Sequence, residues 1–131
     1  LTLQYGNPAI LPVLQVLYPH LDYKNSKFHI DHIYPKAKFT IKNKDLSPDF
    51  IEEKNYLFNL QLLKGAENIG KKDADPNVWI IEHFGNDINK IADYKSKNYI
   101  DACCTMQWND FKTFKEKRTE ALRAALMLAF K

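Results

Sequence analysis

Cysteine is scarce in this 131-residue chain, which has only two, the adjacent Cys103 and Cys104. Adjacent cysteines seldom pair, because the disulfide geometry is strained, and the sequence has no CxxC pair to hold zinc. We therefore expect no disulfide framework and no structural zinc. We expect the two thiols to be reduced, small and mostly buried on a helix, which favours a cytoplasmic location.

Long apolar runs are also missing. The most apolar stretch, ALRAALMLAF near the C-terminus, is short and is interrupted by Arg123, whereas a helix needs roughly 18–20 apolar residues to span a bilayer. The start of the sequence, LTLQYGNPAILPVL, has no basic stretch followed by a small-residue cleavage site, so we expect no signal peptide. We expect no contact with a membrane.

Acidic residues are almost absent between Tyr23 and Lys44, where six lysines face one acid, Asp31. The whole chain carries a formal net charge of only +3, which does not by itself indicate nucleic-acid binding. A local basic field attracts phosphates. The segment therefore indicates either a phosphate-binding surface or a solvated lysine-rich loop.

Apolar periodicity and turn residues predict a mostly helical α+β domain with two short strands near its middle. The predicted strands are KFHIDHIY, ended by Pro35, and YLFNLQLL. Helices are predicted over residues 8–18, after Ser47 and Pro48, over 76–84, in parts of 86–107, and over 109–130. We expect one domain over 1–131, made of a helical lead-in (1–22), a core carrying both strands (23–75) and a helical C-terminal part (76–131).

Polar side chains interrupt both predicted strands. Asp31 and His32 lie near the end of the first, Asn59 breaks the second, and Asn68 and Lys71 follow it. A histidine with a near-neutral pKa can take a proton from water. Carboxylate and amide oxygens suit a hard ion such as Mg²⁺ or Mn²⁺, and a lysine can contact a phosphate. These residue types indicate a site for phosphodiester hydrolysis with one divalent ion.

Three pieces in this order, HIDHIYP, NLQLL and NIGKK, resemble the HNH nucleases, also called ββα-metal or His-Me finger nucleases. The resemblance covers about a third of the chain. It implies a small ββα-metal core, a two-stranded antiparallel hairpin plus a helix, embedded in additional helices. It also implies a metal-dependent endonuclease that acts on DNA. Many members carry two CxxC pairs that this chain lacks, and the segment 36–54 would be a helical insertion.

The resemblance also implies a role for each matching residue. Asp31 and Asn68 would be metal ligands, and His32 would be the general base that activates water. Asn59 would either orient His32 or hold the loop. Lys71 would be either a phosphate contact or a structural residue.

Four further residues stay open at this point. Lys36 is a candidate substrate contact in the lysine-rich segment. His29 is a third ligand, a substrate contact or, as we favour, a hydrogen-bonded structural histidine. Trp79 and Trp108 are core residues in the reading that we favour, and platforms for base stacking in the other.

The long helical tail resembles the C-terminal nuclease domains of modification-dependent restriction systems. Together with a chain that starts at Leu1, it leads us to expect a fragment of a longer protein with an N-terminal domain, acting on DNA that is modified or not. Two other functions remain open. One is a nucleic-acid-binding module that keeps the HNH fold without cutting, and the other is an interaction domain with a buried His-Asp network.

Overall fold

The protein is mostly helical, with one two-stranded antiparallel sheet near the middle of the chain, and the predicted α+β class is confirmed. The computed structural model describes residues 2–130. The helices are α1 (Ile10–Leu17), α2 (Gly65–Lys71), α3 (Pro76–Phe84), α4 (Ile88–Lys97) and α5 (Phe111–Ala129). The strands are β1 (Phe28–His32) and β2 (Leu60–Lys64). Short 3₁₀ helices cover Lys36–Lys38, Pro48–Glu53, Leu57–Asn59 and Trp108–Asp110.

The sheet places the end of β1 beside helix α2. In the antiparallel register Phe28 lies opposite Lys64, and His32 lies opposite Leu60. The pairing continues one residue past β1, where the Ile33 amide donates to the Asn59 carbonyl at 2.8 Å. Helix α2 begins directly after β2, and Lys71 in its last turn donates to the carbonyls of His32 and Ile33 at the end of β1.

Two predicted elements differ from the structure. The second strand begins only at Leu60, because the side chain of Asn59 bonds to the backbone of Tyr34 and residues 57–59 form a 3₁₀ turn. The insertion at 36–54 carries two 3₁₀ helices rather than an α-helix. Its predicted start is correct, with Ser47 accepting from the Asp49 amide and proline in first position.

The cysteines do not lie on a helix, contrary to the prediction. Helix α4 ends at Lys97, and Tyr99 adopts a left-handed backbone with φ 59°. The chain then turns at Asp101, whose carboxylate accepts from the Cys103 amide. Both thiols are free, with Cys103 exposed and Cys104 buried.

Aromatic rings fill the core between α5 and the connection from β1 to β2. The Tyr34 ring lies 4.9–5.0 Å from three of the others, and the cluster comprises Tyr34, Phe39, Phe58, Trp108, Phe111 and Phe114. Trp79 and Trp108 are both buried, as favoured from the sequence. Within residues 2–130, no helix is long and apolar enough to cross a membrane.

Arg118 is the most deeply buried cation of α5. Its guanidinium donates to the carbonyls of Asn98 (3.0 Å), Phe58 (2.6 Å) and Leu57 (3.3 Å) and to the Tyr18 hydroxyl (3.2 Å). One side chain thus ties α5 to the ends of α1 and α4 and to the turn before β2. The Leu57 carbonyl also accepts from the Leu60 amide, whereas no backbone amide within residues 2–130 donates to the Phe58 or Asn98 carbonyl.

We expect Arg118→Lys to lower the free energy of unfolding by about 2–4 kcal/mol, because an ammonium cannot serve acceptors spread over this fork and leaves buried carbonyls unpaired. Urea unfolding followed by tryptophan fluorescence measures the change. Arg123→Lys, on an exposed position of the same helix, should stay within about 0.5 kcal/mol of the wild type. Similar small changes in both variants would contradict the role given to Arg118.

Candidate active site

A cleft of about 230 Å³ opens where the end of β1 meets α2. Four of the residues singled out in the sequence line it, namely Asp31, His32, Lys36 and Asn68. The other lining residues are Tyr5, Ile30, Pro35, Lys72 and Asp73. Three predicted site residues, Asn59, Lys71 and His29, do not line the cleft.

Asp31 and His32 both reach this cleft because β1 ends at His32, shortly before Pro35. Neighbouring side chains of a regular strand point to opposite faces. Here His32 is the last residue of the strand, and the chain leaves the sheet at Ile33 and turns at the buried Pro35. Adjacent residues can therefore contribute to the same site.

The carboxylate of Asp31 is held by one of its two oxygens. Oδ2 accepts from Gln61 Nε2 at 2.9 Å and lies 3.2 Å from Lys71 Nζ. No hydrogen bond within residues 2–130 is made by Oδ1. Asp31 is only 8% exposed, yet it borders the cleft. One carboxylate oxygen is thus anchored, and the other is free for a ligand.

The His32 ring is held by a hydrogen bond to Asn55. His32 Nε2 lies 2.8 Å from Asn55 Oδ1. When Nε2 donates to this amide oxygen, which only accepts, Nδ1 keeps its lone pair. Burial lowers the pKa of His32, and the nearby Lys36 charge lowers it further against the opposing effect of the Asn55 hydrogen bond. A neutral ring with a free nitrogen can accept a proton from water.

The N-terminal segment forms one wall of the cleft. The Tyr5 ring packs on the His32 ring with centroids 5.1 Å apart. The Tyr5 amide donates to the Asn55 carbonyl at 2.7 Å, and the Leu57 amide donates to the Leu3 carbonyl at 3.0 Å. Residues 3–5 therefore support both the histidine and the asparagine that orients it.

Asn55 makes the contact with the His32 ring that the sequence analysis gave to Asn59 as one of two alternatives. The Asn59 side chain is fully buried, accepts from the Tyr34 amide and donates to the carbonyls of Tyr34 and Lys54, all at 2.9–3.0 Å. Of its two expected roles, these contacts match the one that holds the loop. Nothing in the local sequence distinguishes Asn55, because its role depends on pairing with the distant residues 3–5.

Lys71 is buried, at 1% exposure, and faces the protein. Its ammonium donates to the carbonyls of His32 (2.8 Å) and Ile33 (3.1 Å) and pairs with Asp31. Burial lowers the pKa of Lys71, and the Asp31 charge opposes this shift. The placement argues against the expected phosphate contact and agrees with the structural alternative.

The next residue, Lys72, is exposed and borders the cleft. We therefore replace Lys71 by Lys72 as the candidate phosphate contact, beside Lys36. Lys72 has an unusual backbone for a residue with a side chain, with φ 47° and ψ −129°. This conformation stops α2 and turns the chain toward the cleft.

His29 lies outside the cleft. It is exposed on β1, opposite Leu63, and none of the side-chain hydrogen bonds found in residues 2–130 involves it. Its ring lies against Gly65, where an added Cβ would come within 3.3 Å of His29 Nε2. The favoured role as a hydrogen-bonded structural histidine has no supporting contact within residues 2–130, and the roles as ligand and substrate contact stay predictions.

The donors at the cleft suit a hard divalent cation. The Asn68 side chain, like Asp31 Oδ1, makes no hydrogen bond with the described part of the chain. A carboxylate and an amide oxygen on one cleft fit Mg²⁺ or Mn²⁺, which keep several waters. In that same part of the chain, no three or more His, Cys, Asp or Glu side chains are grouped to hold a metal.

Comparison with protein-family models finds no match to this chain, and no curated protein matches it.

The different roles of the two asparagines predict different losses of stability. Asn59→Ala should lower the free energy of unfolding by about 2–3 kcal/mol, because it leaves buried backbone groups of Tyr34 and Lys54 unpaired. Asn55→Ala, which removes one partly buried contact, should cost about 1 kcal/mol or less. Urea unfolding of both variants measures this. Equal losses would contradict the assignment of the loop-holding role to Asn59.

The positive φ of Lys72 predicts that glycine is more stable than alanine at this position. Lys72→Gly and Lys72→Ala both remove the cation, but only glycine adopts a positive φ without strain. The glycine variant should therefore be more stable than the alanine variant by about 1 kcal/mol. Thermal unfolding of the pair measures the difference, and an alanine variant as stable as the glycine variant would contradict the strain.

Proposed function

We propose that this protein is a metal-dependent endonuclease that hydrolyses phosphodiester bonds of DNA at the cleft. The observation that carries the proposal is the convergence of a carboxylate, an amide and a neutral imidazole, from Asp31, Asn68 and His32, on one cleft. Two exposed lysines, Lys36 and Lys72, border the same cleft. The resemblance of the sequence motif to HNH nucleases supports the same conclusion.

His32 is the general base of the proposed reaction. Its Nδ1 takes a proton from the water whose oxygen bonds to phosphorus, while Nε2 stays hydrogen-bonded to Asn55. The P–O bond to the leaving strand breaks, and the leaving oxygen takes a proton from solvent water. The Tyr5 ring limits the movement of the imidazole on one side. Asn55 thus keeps the ring in the tautomer that a base requires.

Asp31 and Asn68 would hold one Mg²⁺ or Mn²⁺ ion. When bound, such an ion supplies positive charge against the charge that develops on the phosphate oxygens. Lys71 pairs with Asp31. Within residues 2–130, Asp73 is then the one carboxylate lining the cleft that makes no ion pair, beside the cations of Lys36 and Lys72. This leaves a modest positive field for the DNA backbone.

The wider biological setting is part of the same proposal. Resemblance to the nuclease domains of modification-dependent restriction systems suggests a cytoplasmic hydrolase that acts with an additional N-terminal domain. Such a site contacts phosphates and reads little base identity. Recognition of modified or unmodified DNA would then belong to the additional domain.

His32→Ala should slow cleavage of supercoiled plasmid in Mg²⁺ or Mn²⁺ by at least about 100-fold, because it removes the base. Agarose-gel nicking assays measure the rate. His20→Ala, an exposed histidine away from the cleft, is the matched control and should cleave like the wild type. EDTA should stop the wild-type reaction, and added Mn²⁺ should restore it. Cleavage by His32→Ala at the wild-type rate would defeat the proposal.

A second function is favoured by the lysine-rich segment 23–44. A non-cleaving nucleic-acid-binding module would use its basic field, although Lys38 of this segment is paired with Asp75 at 2.8 Å. Gel-shift binding of DNA by the wild type, with no turnover in either metal, would favour this alternative over the endonuclease.

A further inference from the structure

Asp31 is backed by a buried chain of hydrogen bonds that the proposed reaction does not use. Gln61 lies directly opposite Asp31 in the sheet and is fully buried. Its Nε2 donates to Asp31 Oδ2 at 2.9 Å, and its Oε1 accepts from the Tyr94 hydroxyl at 2.6 Å. Residues from β2 and α4 are thereby aligned behind one oxygen of the candidate metal ligand.

The direction of these hydrogen bonds is fixed by chemistry. A carboxylate only accepts, so Gln61 must turn its NH₂ group toward Asp31 and its oxygen away. The two ends of an amide have nearly the same shape, so a donor on the far side adds a second constraint on its orientation. The Tyr94 hydroxyl is that donor, and burial raises the pKa of Tyr94, so that it keeps the proton it donates.

Tyr94 is itself held firmly. The Trp79 ring packs on it with centroids 5.5 Å apart. The Tyr94 carbonyl accepts from Asn98 Nδ2 at 2.9 Å, and Asn98 Oδ1 accepts from the Tyr18 hydroxyl at 2.6 Å. The hydroxyl of Tyr94 therefore has a defined position from which to orient Gln61.

We propose that Gln61 and Tyr94 are positioning residues for the metal ligand. Tyr94 fixes the amide of Gln61, which together with Lys71 holds Asp31 Oδ2 and leaves Oδ1 for a divalent cation. Without the Tyr94 hydroxyl, Gln61 Oε1 loses its buried donor, and the amide can shift toward another partner, which loosens its hold on Asp31 Oδ2. This inference rests on the proposed function, because it assumes that Asp31 binds the metal.

The test measures Mn²⁺ binding directly, by the electron paramagnetic resonance signal of free Mn²⁺, without DNA and without turnover. Tyr94→Phe should raise the Kd for Mn²⁺ by about tenfold or more, the usual effect of losing an outer partner of a ligand. Tyr99→Phe is the matched control, because it also loses one hydroxyl hydrogen bond, to the Leu17 carbonyl, but has no contact with Gln61. Its Kd should equal that of the wild type, and thermal unfolding checks that both variants are folded.

A second variant tests whether Tyr94 acts through Gln61. Gln61→Met should also weaken Mn²⁺ binding, and adding Tyr94→Phe to it should change the Kd by less than about twofold, since the coupled partner is already gone. Full additivity of the two changes would overturn the inference.

The remaining outcomes separate the inference from the proposed function. Wild-type binding of Mn²⁺ by Tyr94→Phe would overturn the inference and leave the endonuclease proposal in place. Equal weakening by Tyr94→Phe and Tyr99→Phe would also overturn it, because general loosening would then explain both. A wild-type protein that takes up no Mn²⁺ would overturn the metal-dependent function and the inference together.

Discussion

The buried ammonium of Lys71 is the contact on which the rest of the site depends. A charge without partners in the interior is very costly, and Lys71 has three, the carbonyls of His32 and Ile33 and the carboxylate of Asp31. These bonds end β1, join it to the last turn of α2 and balance the Asp31 charge. Asn68 lies on the same short helix, so this junction also positions Asn68 at the cleft.

A two-stranded sheet leaves many backbone carbonyls outside regular structure, and here long polar side chains donate hydrogen bonds to them. Lys71 does so at the end of β1, and Arg118 does so for the turn before β2 and the end of α4. The Asn59 side chain donates in the same way to the Tyr34 carbonyl in the loop after β1. In a larger sheet, neighbouring strands would satisfy such groups. Here the fold and the site depend on a few buried polar side chains.

Much of the architecture was predictable, because local pattern determines it. Apolar periodicity, turn residues and the pair of apolar runs predict the helices and the sheet, and the resemblance to HNH nucleases implies that Asp31, His32 and Asn68 share a site. It was not predictable that Asn55 rather than Asn59 contacts His32, or that Lys72 rather than Lys71 borders the cleft. In each pair the residue types are the same, and only the path of the backbone decides which side chain faces the cleft. The bond between Gln61 and Tyr94 joins residues far apart in sequence, which no local pattern encodes.

The pairing of residues 3–5 with 55–57 has a practical consequence for where this unit can be divided. The first helix begins only at Ile10, so a boundary drawn at the start of regular structure would discard Tyr5. That cut would remove the ring packed on His32 and the backbone partner of Asn55 in one step. The smallest piece of chain that contains the whole cleft therefore extends beyond the helices and strands on its N-terminal side.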